Sequence, residues 1–334
     1  MGGKFSFVLK IKGIGLLSGG LDGILAVKTI QEQGIDVEGV TFETPFFSAD
    51  KARNAADQIG IPLIVMDITE EHLVMLRAPR YGYGKNMNPC IDCHTLMLRV
   101  AGCRMEATGA DFLFTGEVLG QRPMSQTKQS LHIVAKNSGY DGYIVRPLSA
   151  KLLPETIPEK NGKVDRERLL DIQGRGRKRQ IEMARHYGMT SYPPPAGGCL
   201  LTDPMFSKRL RDLFEYEKSY TIRDIELLKL GRHIRINNTT KIIVGRNKRD
   251  NLAIHNLCRD GDIILTMKDY PGPIVLIPYG CDDDETLRCA AAVCALYSDA
   301  PNDQEGAINC HVAGSTKVSS TQAADRNIVQ NLII

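Results

Sequence analysis

Gly13-Ile14-Gly15-Leu16-Leu17-Ser18-Gly19-Gly20-Leu21-Asp22-Gly23 is the stretch on which the fold of this chain turns. Ile14–Leu17 is a short apolar run of the kind that forms a buried strand. Ser18-Gly19-Gly20 then permits a tight turn, and Ile24, Val27 and Ile30 recur at helical spacing until Gly34. A strand, a glycine turn and a helix in succession leave several backbone N–H groups at the positive end of a helix dipole, which is a ready phosphate site. A turn that merely needs glycine would use the same residues. The position directly after the first strand of an alternating pattern favours phosphate. The chain contains no G-x-x-x-x-G-K-[ST], and Gly13-Ile14-Gly15 does not continue to the third glycine of a dinucleotide fingerprint. P-loop and Rossmann dehydrogenase chemistry are therefore excluded.

Outward from this stretch, strand-like and helix-like runs alternate. Val37–Phe42 reads as a second strand, Ser48–Ile59 as a helix closed by Gly60, and Ile61–Ile68 as a third strand. Asp111–Thr115 is a fourth strand after the helix that follows Cys93. The pattern predicts a doubly wound α/β fold with a parallel sheet. A charged helix is expected within Arg166–Tyr187. The stretch Tyr192-Pro193-Pro194-Pro195-Ala196-Gly197-Gly198 marks a boundary or a shaped loop. Beyond about residue 204 come short basic β-like runs at His233–Ile236, Lys241–Val244, Ile263–Thr266 and Ile274–Ile277. The expected organisation is a catalytic domain over 1–204, a small basic α+β domain over 205–300, and a partly disordered tail over 301–334.

A chain of 334 residues exceeds one ordinary hydrophobic core. With 43% hydrophobic and 24% charged residues it reads as folded. No run of about 18 apolar residues occurs, so no membrane span is expected. Lys10 and Lys12 interrupt the first apolar stretch and no cleavage site follows, which argues against a signal peptide. Met1-Gly2 with Ser6 fits the loose myristoylation pattern, but the segment runs straight into a buried-looking strand, which argues against that modification. The expected compartment is the cytoplasm. Nine cysteines then read as reduced thiols, metal ligands or redox groups rather than disulfides. The net charge is +3, but residues 171–250 carry 17 Lys/Arg against 9 Asp/Glu, which points to a polyanionic partner.

Ser18-Gly19-Gly20-Leu21-Asp22-Gly23 resembles the SGGxDS loop of the PP-loop (N-type ATP pyrophosphatase) superfamily. The resemblance implies an adenine nucleotide alpha hydrolase-like fold that splits ATP between its α and β phosphates, adenylates a substrate and releases pyrophosphate. By it, Ser18, Gly19, Gly20 and Asp22 hold the pyrophosphate end, Asp22 through Mg²⁺. Gly23 departs from the pattern, removing one hydroxyl. Thr115-Gly116-Glu117-Val118-Leu119-Gly120-Gln121-Arg122-Pro123-Met124-Ser125-Gln126-Thr127 is similar to the TGExxGQxxSQT segment of tRNA 4-thiouridine synthases. That likeness implies Thr115, Gly116 and Gln121 near the adenylate; Arg122 stands where a small apolar residue is usual. Arg146-Pro147-Leu148 also fits this superfamily, but the signal is too common to place Arg146 in the site.

Asn88-Pro89-Cys90-Ile91-Asp92-Cys93 and Gly197-Gly198-Cys199-Leu200-Leu201-Thr202-Asp203 resemble two segments of tRNA 2-thiouridylases. Cluster-free members of that family carry aspartate at the first cysteine, leaving one thiol to carry a persulfide and one to resolve it. With Cys90 present, three alternatives stand: a [4Fe-4S] cluster on Cys90, Cys93 and Cys199 with one open iron, a persulfide pair of Cys93 and Cys199, or a structural zinc completed by His94. Cys103 reads as core, and Cys258, Cys281, Cys289, Cys294 and Cys310 as structural thiols.

Together the resemblances imply an ATP-dependent tRNA sulfurtransferase. It would adenylate a uridine carbonyl oxygen and replace it with sulfur, at position 4 or 2, from sulfide or a cysteine desulfurase relay. The catalytic residues would be Asp22, Cys93 and Cys199. The 4-thiouridine synthases carry RNA-binding modules ahead of the loop, whereas here the loop begins at residue 18, so tRNA capture falls to the second domain. Its Gly231-Arg232, Gly245-Arg246 and Asp269-Tyr270-Pro271-Gly272-Pro273 resemble the RNA-binding domain of ribosome-quality-control factors. Arg175, Arg177, Lys178 and Arg179, then Arg209, Arg211, Arg232, Arg235, Arg246, Lys248 and Arg249, supply cations for a phosphate backbone or form a solvated face. Two rivals remain: another PP-loop enzyme, such as an amidotransferase or a cluster-bearing desulfurase of thiobases, and a non-catalytic RNA-binding protein.

Overall fold

The computed structural model describes residues 10–189, 192, 198–312 and 315–334. The chain divides into two units, Met1–Thr202 and Asp203–Ile334. The Pro193–Gly197 part of the expected boundary lies outside the described residues.

The first unit alternates as its sequence predicts. Its elements are β1 (Lys12–Leu16), α1 (Leu21–Gln31), β2 (Asp36–Glu43), α2 (Asp50–Ile59), β3 (Leu63–Asp67), α3 (Thr69–Arg77), α4 (Cys90–Thr108), β4 (Phe112–Thr115), α5 (Lys128–Ser138), β5 (Ile144–Val145), α6 (Ile157–Lys160) and α7 (Lys178–His186). The strands form a parallel sheet in the order β3-β2-β1-β4-β5. Alternation along β4 serves both faces of the sheet. Phe112 and Phe114 join Leu21, Ile24 and Leu25 of α1 on one side. Leu113 joins Ile14, Val40, Leu96 of α4 and Val134 of α5 on the other.

The glycines of β1 have a packing cause. Gly13 is opposite Phe112 and Gly15 opposite Phe114. A Cβ at Gly13 would stand 2.8 Å from the Phe112 ring, and one at Gly15 only 2.4 Å from the Phe114 ring. The rings lie over the bare glycines, and each fully buried ring contributes about 1.5–3 kcal/mol. The expected α/β class is thus present, with β1 central and its carboxyl end beside the strand-order switch, where such sheets place ligands.

The second unit contains α8 (Pro204–Tyr216), α9 (Ile222–Leu227), β6 (Arg232–Arg235), β7 (Lys241–Val244), α10 (Lys248–Asn256), β8 (Ile263–Met267), β9 (Val275–Ile277), α11 (Asp284–Leu296), β10 (Gly306–Val312), β11 (Ser315–Thr321) and α12 (Arg326–Asn331). Its sheet is antiparallel, in the order β11-β10-β8-β9-β7-β6. The stretch expected as a partly disordered tail instead completes this sheet. In β10, Ile308 and Cys310 are buried against the core that includes Cys294 of α11. Apart from Val318, β11 is an exposed edge strand of Ser, Thr and Lys, so it has no apolar face by which its sequence could announce it.

Candidate nucleotide and thiol site

At the end of β1 the chain turns through Gly19, whose φ is 78°. A Cβ there would lie 2.3 Å from the backbone carbonyl of Lys51 in α2, so only glycine fits. Gly20 caps α1 without any side-chain hydrogen bond, and the first N–H groups of a helix have no partner within it. Asp22, in the first turn, accepts a 2.8 Å hydrogen bond at Oδ2 from Gln121 Nε2. Asp22 Oδ1 and Gln121 Oε1 are both buried without a partner. Such an atom costs about 1–3 kcal/mol unless something binds it. Unpaired oxygens beside an uncapped helix start fit a nucleotide phosphate with Mg²⁺, a hard cation that takes oxygen ligands.

Gly116, just past β4, lies directly on this loop. A Cβ on it would stand 2.4 Å from Gly23 N and 2.6 Å from the carbonyl carbon of Asp22. Gly23 carries no side chain, so the serine hydroxyl of the usual pattern has no counterpart here, and a Cβ on it would meet Leu17 at 3.3 Å. The Thr115 hydroxyl is engaged by Glu117, donating to Oε2 at 3.1 Å. Glu117 is itself buried and also bonds Arg146 Nε at 3.0 Å and His94 Nδ1 at 3.0 Å. Burial alone would raise the Glu117 pKa, but the Arg146 charge and the His94 hydrogen bond bring it down to about 2. Arg146 donates in addition to the Leu131 carbonyl at 3.2 Å.

His94 lies one residue after Cys93, in the first turn of α4. Cys90 opens that helix and accepts a 3.3 Å hydrogen bond from Asn88 Nδ2. The remote Cys199 is carried on a loop that is pinned twice: Leu200 N donates to the Phe46 carbonyl at 3.0 Å, and Asn86 Nδ2 to the Thr202 carbonyl at 2.7 Å. Burial pushes the Cys93 thiol well above its ordinary value, and Cys199, Cys90 and Asp92 push it the same way. Burial likewise raises Cys199 to about 11; a backbone hydrogen bond from Leu201 opposes this and Cys90 adds to it. The three thiols therefore lie within electrostatic range of one another. His72 Nε2 is 3.6 Å from Cys93 Sγ, and burial lowers the His72 pKa to about 4. Its ring packs between Phe46 and Phe47 at 5.4 and 5.5 Å, and its Nδ1 has no partner.

The donor set distinguishes the metal alternatives. Among the described residues no group of three or more His, Cys, Asp or Glu is arranged to hold a metal ion. His94 is bonded to Glu117, so the zinc set does not fit. Cys90, Cys93 and Cys199 match a cluster in number and kind of ligand.

The basic stretch lies nearer the nucleotide loop than its sequence suggests. Leu119 and Gln173 form a β-bridge, and Gly174 N donates to the Leu119 carbonyl at 2.7 Å. Arg177 Nε is buried without a partner, Arg175 and Lys178 are exposed, and Arg179 pairs with Asp171 at 2.6 Å. In the second unit several expected phosphate ligands instead hold the fold. Arg209 donates to the Leu228 and Gly231 carbonyls, Arg235 pairs with Asp212, and Arg246 with Asp250. Arg211, Lys248 and Arg249 are exposed. Cys103 and Cys289 are also exposed, contrary to the core reading of Cys103. Glu117, Arg146 and His72 escaped the sequence reading as site residues. The first two stood inside quoted motifs, whereas a lone histidine in α3 carries no signal.

Residues 9–152 match the family model described as thiamine biosynthesis protein (ThiI), and residues 231–332 match the NFACT protein RNA binding domain. A tRNA-specific 2-thiouridylase MnmA from Clostridium acetobutylicum is 35% identical over 119 residues, covering 30% of this chain and 34% of the relative. The same enzyme from Syntrophotalea carbinolica is 34% identical over 119 residues, covering 30% and 32%. The chain thus spans about a third of the length of these relatives. A solved 4-thiouridine synthetase–RNA complex with bound ATP aligns at 21% identity and a TM-score of 0.39, covering 65% of this chain and 52% of that one. No helix among the described residues is long and apolar enough to cross a membrane.

Proposed function

We propose, from a first unit that belongs with the PP-loop tRNA thiouridine synthases and sulfurtransferases, that this chain activates a uridine carbonyl of tRNA with ATP and replaces its oxygen with sulfur. The observation that carries the reading is a physical join. Gly116 rests on Asp22 and Gly23, and the next residue, Glu117, grips His94 beside Cys93. A nucleotide loop and a group of thiols are thereby tied to one another through adjacent residues.

Ser18, Gly19 and Gly20 present the loop backbone to the departing pyrophosphate, and Asp22 with Gln121 supplies oxygens for Mg²⁺. Gly116, flanked by Thr115, lets the end of β4 pack directly on the loop beside which the adenylate would lie. The uridine carbonyl oxygen attacks the α-phosphorus, and the bond to the bridging β-phosphate oxygen breaks, releasing pyrophosphate. Sulfur then adds to the activated carbon, and AMP leaves with the former carbonyl oxygen to give a thiocarbonyl. Cys90, Cys93 and Cys199 would hold a [4Fe-4S] cluster, which when bound supplies an iron free of protein ligands for sulfide. The nearness of Cys93 and Cys199 also favours a second reading. In it one of them carries a persulfide from a cysteine desulfurase relay, its outer sulfur attacks the carbon, and the other thiol closes a disulfide. The second unit captures tRNA, as its family match suggests.

The ThiI match favours 4-thiouridine, and the MnmA relatives favour 2-thiouridine. Mass spectrometry of tRNA nucleosides from a deletion strain decides, the expected result being loss of one of the two. Retention of both would overturn the reading. Anaerobically purified protein should be brown, and alanine at Cys90, Cys93 or Cys199 should strip its iron. Iron-free protein that still thiolates tRNA would transfer the role to the persulfide pair.

A further inference from the structure

The second unit contains a cavity of about 700 Å³, within the size range of small-ligand sites. The thiolation chemistry makes no use of it. Tyr279 lies on its lining with a φ of 63°, the sole non-glycine residue with positive φ among those described. Such a backbone costs of order 1 kcal/mol and persists only where its surroundings enforce it. The surroundings here are specific. Asp262 Oδ1 accepts from Tyr279 N at 2.9 Å, and Asp224 Oδ2 accepts from Tyr279 Oη at 2.6 Å. The guanidinium of Arg223 lies 5.7 Å from the centre of the Tyr279 ring and is itself buried and paired with Asp262. Tyr279 is nevertheless 61% exposed. The fold therefore holds an aromatic ring at its edge and along one face while leaving it open to solvent.

The polar lining indicates what the cavity takes. His233 lines it and is fully buried; its Nε2 is 3.1 Å from the carbonyls of both Leu227 and Leu230. Carbonyls only accept, so the proton is assigned to Nε2. Nδ1 is then an acceptor, buried and without a partner. Glu217, Asp224, Asp282 and Asp283 also line the cavity, against the single cation Lys241, which is paired with Asp212 at 3.1 Å. Asp224 and Asp283 already accept from their own helix starts and from Tyr279, so the buried acceptor without a partner is His233 Nδ1; with the negative charge around it, the lining repels phosphate and favours an uncharged ring that donates a hydrogen bond.

We propose that this cavity receives one unpaired base bearing an exocyclic amino group, stacked on Tyr279, while the phosphates of the same strand stay on the exposed cations of the unit. The inference rests on the assignment of this unit to RNA, and it adds base readout to backbone binding. Full-length protein would be titrated by fluorescence anisotropy with 12-nucleotide oligo-cytidine, oligo-uridine and a 12-base-pair RNA duplex. Cytosine presents an exocyclic amino donor beside an N3 acceptor, where uracil presents a carbonyl beside an N3–H donor. Oligo-cytidine should bind at least about five-fold tighter than oligo-uridine, as one net hydrogen bond allows. Tyr279→Gly removes the ring and also relieves the positive φ, so its melting temperature should not fall below that of Tyr279→Phe. It should weaken oligo-cytidine about ten-fold and bring the preference within two-fold, while Tyr279→Phe and duplex binding stay within two-fold of the parent. Equal affinity of the parent and Tyr279→Gly for oligo-cytidine overturns the base pocket but leaves backbone binding standing. No binding to any of the three RNAs overturns both. Free cytidine should compete with oligo-cytidine; binding of cytidine without competition would make this a mononucleoside site and overturn the RNA pocket.

Discussion

Asp22 is where the proposed ATP chemistry is most exposed to test. Its Oδ1 has no partner and its Oδ2 is oriented by Gln121, so the two residues act in series. Asp22→Ala should abolish AMP and pyrophosphate formation. Gln121→Ala should lower it about 10- to 100-fold, as expected for a lost positioning contact. Both are read by tRNA-stimulated pyrophosphate release, and ADP as the main product would overturn the proposed PP-loop chemistry. Glu117 makes a different claim, because removing it strands the buried Arg146. Glu117→Ala should destabilise the chain by about 3–5 kcal/mol, and adding Arg146→Met should recover part of that loss, as measured by urea unfolding. Absence of recovery would show that the triad with His94 is not coupled. Asp22 was legible because its loop is local in sequence. The Glu117–Arg146 pair was not, since 29 residues separate two side chains that meet only across the sheet edge.

At the scale of elements, the strands and the glycine-closed helices were legible because each carries its own periodicity and stop signal. Gly60, with a φ of 71°, ends α2 where the sequence places it. The glycines of β1 were legible only as exclusions, and their purpose emerges from the register with β4. Gly15→Ala should cost about 1–3 kcal/mol by overpacking against Phe114. Phe114→Leu in the same chain should return part of it, and a thermal melt of the three variants tests the claim. If Gly15→Ala melts with the parent, the ring is not packed over the glycine. β11 and α3 were not anticipated. The first lacks an apolar face, and the second follows β3 without a glycine boundary.

The whole molecule should be sensitive to acid through its second unit. Burial lowers the His233 pKa well below its ordinary value, so the fold keeps this imidazole neutral. An unfolded chain would protonate it below about pH 6.5, and stability should fall as pH drops through that value, by at most ~1.4 kcal/mol per unit. Burial would raise Asp212, but Arg235 and Lys241 hold it below the ordinary carboxylate range. Its contribution is complete above about pH 3.9 and is lost at lower pH. Urea midpoints between pH 4 and 7 should therefore decline, and His233→Gln should flatten that decline. RNA binding should weaken with salt, and changing Arg211, Lys248 and Arg249 to Gln should reduce the log–log slope by roughly 0.7–0.9 per lost contact. An unchanged slope would assign these residues to a solvated face.

The sequence by itself determined the alternating α/β layer, the position of the candidate phosphate loop after β1 and the candidacy of Cys90, Cys93 and Cys199, because strand period, turn chemistry and motif spacing are all local properties of a chain. Only the tertiary structure decided that Gly116 lies on Asp22 and Gly23, that Glu117 joins this loop to the helix of Cys93, and that Arg209, Arg235 and Arg246 are bound to the fold. It also decided that residues 306–312 and 315–321 are strands and that Tyr279 stands on the lining of a cavity. Those facts depend on which distant segments pack together. Burial and pairing, unlike periodicity, exist only once the sheets have closed around their cores.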